Sequence, residues 1–226
     1  MFCQHCGAAL AADGPVCAGC GTAVPSRVDV AGQIKAVSAD ALGAFKTFAV
    51  NPVGGLHAAY QTLGPRRAML TGIAFGIVYD LCAIVGSYVM ARRSFGAFGG
   101  FYEMTVKTLF KLAILGCVPL LAFVGASFLT RKIFRGAGSI EGDFFLSGAA
   151  LLPAAFLFIA AAIVGVGNFE VVAVLGVFAL CYTILLLFTG ATRISGLNEA
   201  AAVPAVALML IVTMWIVKVV VTAVMF

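Results

Sequence analysis

Residues 144–190 read FFLSGAALLPAAFLFIAAAIVGVGNFEVVAVLGVFALCYTILLLFTG, and Glu170 is their only charged residue. A helix needs about 20 apolar residues to cross the roughly 30 Å hydrocarbon core of a bilayer. The stretch is therefore long enough for two crossings. A break at Gly167-Asn168 leaves only a very short turn between its halves. The pattern predicts a tight antiparallel hairpin of two membrane-spanning helices.

Three further apolar runs of similar length raise the predicted number of spans to five. The 226-residue chain is 63% hydrophobic and 10% charged, with a mean hydropathy of +1.13. A water-soluble core of this size cannot bury so much apolar surface, so lipid must surround most of the chain. We predict an all-α polytopic membrane protein whose transmembrane domain covers 68–226, with spans at 68–90, 108–130, 144–166, 170–190 and 202–225.

A different kind of sequence precedes the spans. Cys3 and Cys6 form one Cys-x-x-Cys pair, Cys17 and Cys20 form a second, and a glycine follows each pair. Two such pairs supply the four thiolates of a closed tetrahedral zinc site, which has no open position for a catalytic water. Residues 1–24 are therefore predicted to be a zinc ribbon with one structural zinc ion. The alternative, a redox-active dithiol pair, is disfavoured because no βαβ pattern surrounds the cysteines.

Residues 25–67 are predicted to be a linker that contains an amphipathic helix. Apolar residues recur at helical spacing from Val30 to Phe48, which favours a helix lying on the cytoplasmic membrane surface. Asn51-Pro52 interrupts this helix. A second short helix is expected near Leu56–Leu63, before Gly64-Pro65.

Two resemblances follow from these motifs. Phe2-Cys3-Gln4-His5-Cys6-Gly7 and Val16-Cys17-Ala18-Gly19-Cys20-Gly21 resemble the short zinc-ribbon domain that begins many bacterial membrane proteins. The five-span body, approached through an amphipathic segment with Asn51-Pro52, resembles the Yip-domain family. That resemblance implies a multi-span membrane protein that acts through partners in membrane organisation or trafficking and has no assigned catalytic site.

The basic residues predict the orientation of the spans. With the N-terminus inside, most Lys and Arg residues fall on cytoplasmic segments, as the positive-inside rule requires, although Arg92-Arg93, Lys107 and Lys111 fall outside. No signal peptide precedes the cysteines, which need a reducing compartment to bind zinc. We expect a bacterial plasma-membrane protein with a cytoplasmic N-terminus and a C-terminus outside.

Two charged residues lie inside predicted spans. Asp80 is roughly 18 Å into the first span and Lys218 roughly 24 Å into the last, at 1.5 Å per residue. Ionisable groups at such depth are costly and mark candidate functional sites. We hypothesise an Asp80–Lys218 ion pair. The alternatives are a Lys218 that snorkels outward, and an Asp80 that is a neutral acid bonded to Tyr79, Tyr182 or a carbonyl, or part of a proton or ion relay.

A cluster of basic residues is predicted at the cytoplasmic ends of the spans. The cluster consists of Arg66, Arg67, Arg131, Lys132 and Arg135. These side chains could hold anionic lipid headgroups. The alternative is that they only reflect the general excess of basic residues on the cytoplasmic side.

The head itself has no basic residue in positions 1–26, which excludes a nucleic-acid-binding zinc ribbon, because phosphate contacts need several cations. We expect the head to dock a cytosolic protein, with Phe2, Leu10 and Val16 as candidate contacts. The alternative is that these three side chains only cover the head's own core.

The sequence thus favours a non-enzymatic membrane scaffold or adaptor. The alternative function is a small transporter or channel component that uses Asp80. A transporter should place several polar groups around Asp80 in a polar cavity, whereas a scaffold should have a dry, packed bundle. The partner's identity and the oligomeric state stay open.

Overall fold

The computed structural model describes Cys6 and residues 19–21, 30–94, 106–165 and 167–225. The chain divides into two compact units, Met1–Ala36 and Val37–Phe226. The described residues form six α-helices and no strand. Five helices are long and apolar enough to cross a membrane, which confirms the predicted all-α polytopic membrane fold.

The helices follow one another in simple order along the chain. Their bounds are α1 Val30–Val50, α2 Pro52–Ser94, α3 Val106–Ile133, α4 Ile140–Val164, α5 Phe169–Arg193 and α6 Glu199–Met225.

The predicted hairpin of residues 144–190 corresponds to α4 and α5. Gly165 ends α4 with φ 87°, and its N–H donates to the carbonyl of Ala161. The Asn168 side-chain amide donates to the carbonyl of Val164 at 2.9 Å. Because lipid cannot satisfy the free carbonyls at a helix end, these local bonds let the chain reverse within a few residues.

A break at Gly64 divides α2 into two parts. Gly64 has φ 70° and ψ 168°, a backbone conformation that residues with a side chain rarely adopt, and Pro65 follows it. The first part, residues 52–63, contains the predicted short helix. The second part, residues 65–94, contains the first predicted span.

The closest helix pair in the bundle is α2 with α4, which meet backbone to backbone. A Cβ added to Gly72 would overlap the backbone of Phe144, and one added to Gly148 would overlap the backbone of Gly72. Small residues allow such approaches between membrane helices, where packing must replace the hydrophobic effect. Helices α3 and α5 complete the contacts of α2, while α6 packs against α3 and α5.

The second half of α1 packs into this bundle together with the first part of α2. We call residues 37–63 the re-entrant hairpin. Phe48 is 1% exposed, and its ring is perpendicular to that of Phe75, with 5.7 Å between the ring centroids. Phe45 packs on Phe156 with 5.6 Å between their ring centroids. The prediction placed this helix on the membrane surface. The structure differs because one stripe of α1 is buried against the spans themselves.

The tip of the re-entrant hairpin lies beside the middle of α5. Tyr182, halfway along α5, donates its hydroxyl to the carbonyl of Phe48 at 2.6 Å and lies 3.2 Å from the carbonyl of Ala49. Asn51 accepts a hydrogen bond from the Gly54 N–H through its side chain at 3.0 Å. Non-helical backbone at membrane depth is tolerated only where the protein satisfies its polar groups. Tyr182 and Asn51 meet that requirement.

We expect Tyr182→Phe to lower the free energy of unfolding by about 1–3 kcal/mol, because it leaves the Phe48 carbonyl without its donor. Thermal unfolding of the purified chain in detergent measures the change. Tyr88→Phe is the matched control, since Tyr88 is an exposed tyrosine of α2. Equal stability of the two variants would contradict a supporting role for Tyr182.

Candidate functional site

The described part of the head contains one cysteine of each predicted pair. Cys6 and Cys20 are exposed and lie in turns. Gly21 follows Cys20 with φ 68°, the left-handed conformation that a tight turn after the second cysteine requires. Cys3 and Cys17 lie outside the described residues. The described residues alone contain no group of three or more metal-ligating side chains, so the four-cysteine zinc site stays a prediction.

We expect the full chain to bind one zinc ion and Cys20→Ser to lose it, because three thiolates cannot close a structural zinc site. Elemental analysis of the purified protein, with titration of released metal, measures the stoichiometry. Cys82→Ser is the control, since Cys82 lies in α2, far along the chain from the head. An unchanged metal content in Cys20→Ser would rule out the predicted ligand set.

The structure places Asp80 against α3. A Cβ added to Gly116 would overlap the Asp80 carboxylate, so the absence of a side chain at Gly116 makes room for the acid. Asp80 Oδ1 is buried and has no hydrogen-bond partner among the described residues. The hydroxyl of Tyr182, one of its predicted partners, is bonded to the re-entrant hairpin.

The structure does not bring Asp80 and Lys218 together. Lys218 is exposed on α6, and α6 packs against α3 and α5 but makes no extensive contact with α2. The two ion pairs among the described residues involve other side chains. The pairing hypothesis assumed that the first and last spans are neighbours, and the packing order of the helices separates them.

Arg131 lies in a buried ion pair instead of at a lipid headgroup. Its Nη2 lies 2.7 Å from Oδ2 of Asp143, and its Nη1 donates to the Gly138 carbonyl at 2.7 Å. The Ser127 hydroxyl donates to Oδ1 of Asp143 at 2.8 Å. The two charged side chains are 8% and 0% exposed. The predicted lipid contact is therefore corrected for Arg131, because its guanidinium is enclosed by protein.

This ion pair joins the loops at one end of the bundle. The loop between α3 and α4 contributes Gly138, whose carbonyl accepts from Arg131 and whose N–H donates to the carbonyl of Ser195 at 3.1 Å. Ser195 belongs to the turn between α5 and α6. Asp143 lies in the first turn of α4, where the helix dipole also favours a negative charge. Arg131 thus joins the end of α3 to the loop and the first turn of α4 that follow it, and Gly138 links that loop to the turn between α5 and α6, which is distant in sequence.

The other predicted lipid-binding residues lie at the surface. Arg67 pairs with Asp40 of α1, and its Nε lies 2.7 Å from Oδ2, yet its side chain stays 59% exposed. Arg66, Lys132 and Arg135 are exposed as well. These four residues keep the headgroup interpretation that Arg131 loses.

At the end of the bundle opposite to Arg131 and Asp143, two cations donate hydrogen bonds to backbone carbonyls of α4 and α6. Arg93 donates through Nη1 to the carbonyl of Ala162 at 2.5 Å and to that of Ile163 at 2.8 Å. Lys111 donates to the carbonyl of Val224 at 3.2 Å. These carbonyls belong to the C-terminal turns of α4 and α6, where the helix dipole favours positive charge.

We expect Arg131→Met to lower the free energy of unfolding by about 3–5 kcal/mol, because it leaves the Asp143 carboxylate buried without its partner. Denaturant or thermal unfolding in detergent measures the loss. Lys132→Met, at the exposed neighbouring position, serves as the control.

The double variant Arg131→Met with Asp143→Leu should recover most of the lost stability, since an apolar pair replaces both charges. A single variant as stable as the control would contradict the structural role of the ion pair.

Several of these residues gave little signal in the sequence. Asp143 directly precedes an apolar run, where an acid looks like an ordinary helix flank. Ser127 and Tyr182 sit within spans, and their partners lie on other helices. The i, i+12 spacing of Arg131 and Asp143 across a short loop was the one local indication of a pair.

Cavities between the helices include two that are lined by described residues. One of about 320 Å³ lies between α1, α4 and α5 and is lined almost wholly by apolar side chains. The other, of about 300 Å³, lies between α1 and the first part of α2, beside Asp40 and Arg67. Asp80 lines neither of them.

Comparison of this chain with protein-family models, curated proteins and solved structures finds no match. The resemblances to the zinc ribbon and to the Yip-domain family therefore stay predictions from the motifs.

Proposed function

We propose that the protein is a non-enzymatic integral membrane scaffold or adaptor whose zinc-ribbon head docks a cytosolic protein, in the manner of Yip-like membrane organisation. One observation carries the proposal. Arg131 and Asp143 are the most deeply buried charges of the described bundle, and they bond to each other and, through Arg131, to the carbonyl of Gly138 in the loop between α3 and α4. A scaffold needs such fixed internal bonds, whereas a transport site needs charges that remain available to a passing ligand.

The proposed location is a bacterial plasma membrane with the head in the cytoplasm. Arg93 and Lys111 were two of the cations that opposed this orientation. Their hydrogen bonds to the ends of α4 and α6 give them a structural reason to lie at that end of the bundle, whichever side of the membrane it faces. With that reason assigned, the remaining distribution of Lys and Arg supports a cytoplasmic N-terminus.

A transporter or channel component that uses Asp80 is the second candidate function. The buried, unpartnered Oδ1 of Asp80 favours it, because such an atom commonly marks a functional position in a membrane.

A crosslinking pull-down from membranes tests the scaffold. It compares the full chain with a chain that lacks residues 1–24 and with Cys20→Ser, which disrupts the predicted zinc site while keeping the head's length. We expect one set of cytosolic partners to be lost from both altered chains.

Asp80→Asn is the matched control and should keep the complete set, because it changes the spans and leaves the head intact. An identical set of partners with and without the head would contradict docking. Loss of partners in Asp80→Asn alone would instead favour a function centred on the spans.

A further inference from the structure

The cavity beside the re-entrant hairpin is the strongest unassigned feature of the bundle. Its floor is formed by buried side chains, Phe48 of α1, Leu152 of α4 and Ala179 of α5. Its volume of about 320 Å³ lies at the lower end of the range for small-molecule sites in proteins. Its lining comes from the α4–α5 hairpin and from α1, which is distant from them in sequence, and the tip of the re-entrant hairpin is one of its walls.

Water is a poor occupant of this cavity. The one polar side chain of its lining is Tyr182, and the hydroxyl of Tyr182 already donates to the Phe48 carbonyl. A buried water needs two to four polar partners, and apolar cavities as large as about 150 Å³ stay dry while binding hydrocarbons. The lining therefore selects an apolar occupant.

The cavity opens sideways, toward lipid. Phe156 of α4 is 57% exposed and Phe178 of α5 is 68% exposed, and both line the cavity at its rim. These two helices are among the five that are long and apolar enough to cross a membrane. Tyr182 and Leu152 lie about halfway along their helices, so the opening lies level with acyl chains and away from headgroups. The cavity is thus continuous with the lipid-facing surface.

We propose that this cavity binds the acyl chain of a bilayer lipid, which inserts between the rings of Phe156 and Phe178 and rests against the tip of the re-entrant hairpin. An acyl chain is a flexible apolar rod that can fill a narrow lateral opening. It is also the molecule present at the highest concentration at that depth.

The bound chain would stabilise the hairpin. Phe45, Phe48 and Ala49 of α1 line one wall. Phe48 is already buried, whereas Phe45 is half-buried and Ala49 is exposed, so methylene groups in the cavity would add contacts to Phe45 and Ala49. Docking of the re-entrant hairpin then depends on a lipid as well as on Tyr182.

Photolabelling tests the proposal. The full chain is reconstituted in phosphatidylcholine vesicles that contain a fraction of phosphatidylcholine with a diazirine at mid-chain. After irradiation, labelled positions are mapped by peptide mass spectrometry. We expect several-fold more label on the cavity residues Leu157 and Leu175 than on Val174 and Ile211, which are 69% and 67% exposed on the lipid-facing surface.

Two variants sharpen the result. Ala160→Phe fills the cavity from its α4 wall, and Ala173→Phe adds the same ring to the exposed surface of α5, outside the lining. Ala160→Phe should lose at least half of the label on Leu157 and Leu175, whereas Ala173→Phe should keep it.

Uniform labelling along all exposed positions of the wild-type chain overturns the proposal, and this map decides the question even if Ala160→Phe does not fold. Covalent adducts between two chains at Phe156 or Phe178, in place of lipid label, also overturn it, because they assign the cavity to a second copy. If Ala160→Phe folds and still keeps all of the label on Leu157 and Leu175, that result also overturns the proposal.

Discussion

Hydrocarbon offers no hydrogen bonds, and this constraint governs where every polar group of the bundle can lie. The long helices satisfy their own backbones. The exceptions are helix ends, loops and the turn at Asn51, and side chains from other helices serve them. Tyr182 donates to the end of α1, Arg93 to the end of α4, Lys111 to the end of α6, and Arg131 to the loop before α4. These four side chains thus serve backbone groups that would otherwise stay unpaired.

The same constraint changes the meaning of charges near a membrane. Counting Lys and Arg treats each one as free to interact with lipid or water. In this bundle Arg131 is enclosed by protein, and Arg93 and Lys111 bind carbonyls of other helices. A basic residue near the end of a span therefore has three possible uses, in orientation, in helix capping and in a buried ion pair, and sequence position alone does not separate them.

Much of the fold could be predicted from the sequence, because hydropathy and span length act locally. The five spanning helices, the break at Gly64-Pro65 and the tight connection near Asn168 all have signals within a few residues. The site could be predicted less well, because it depends on which helices are neighbours. Asp80 and Lys218 lie at similar depths, yet α6 packs on α3 and α5. Phe48 is buried because Phe75 and Tyr182 lie next to it, and no local pattern in α1 indicates that these two residues are its neighbours. The four-cysteine head rests on spacing alone, so its zinc site and its role stay predictions.

The bond between Tyr182 and the Phe48 carbonyl also sets an order of events during synthesis. The two residues are 134 positions apart in the chain. A ribosome makes the re-entrant hairpin first, and until α5 has followed it, the end of α1 has no donor inside the apolar layer. An unpaired carbonyl in lipid costs several kcal/mol, which keeps the newly made hairpin at the water interface. We expect the hairpin to enter the bundle only after α5 has been inserted. Its docking is then a late step of assembly, which follows the insertion of the spans around it.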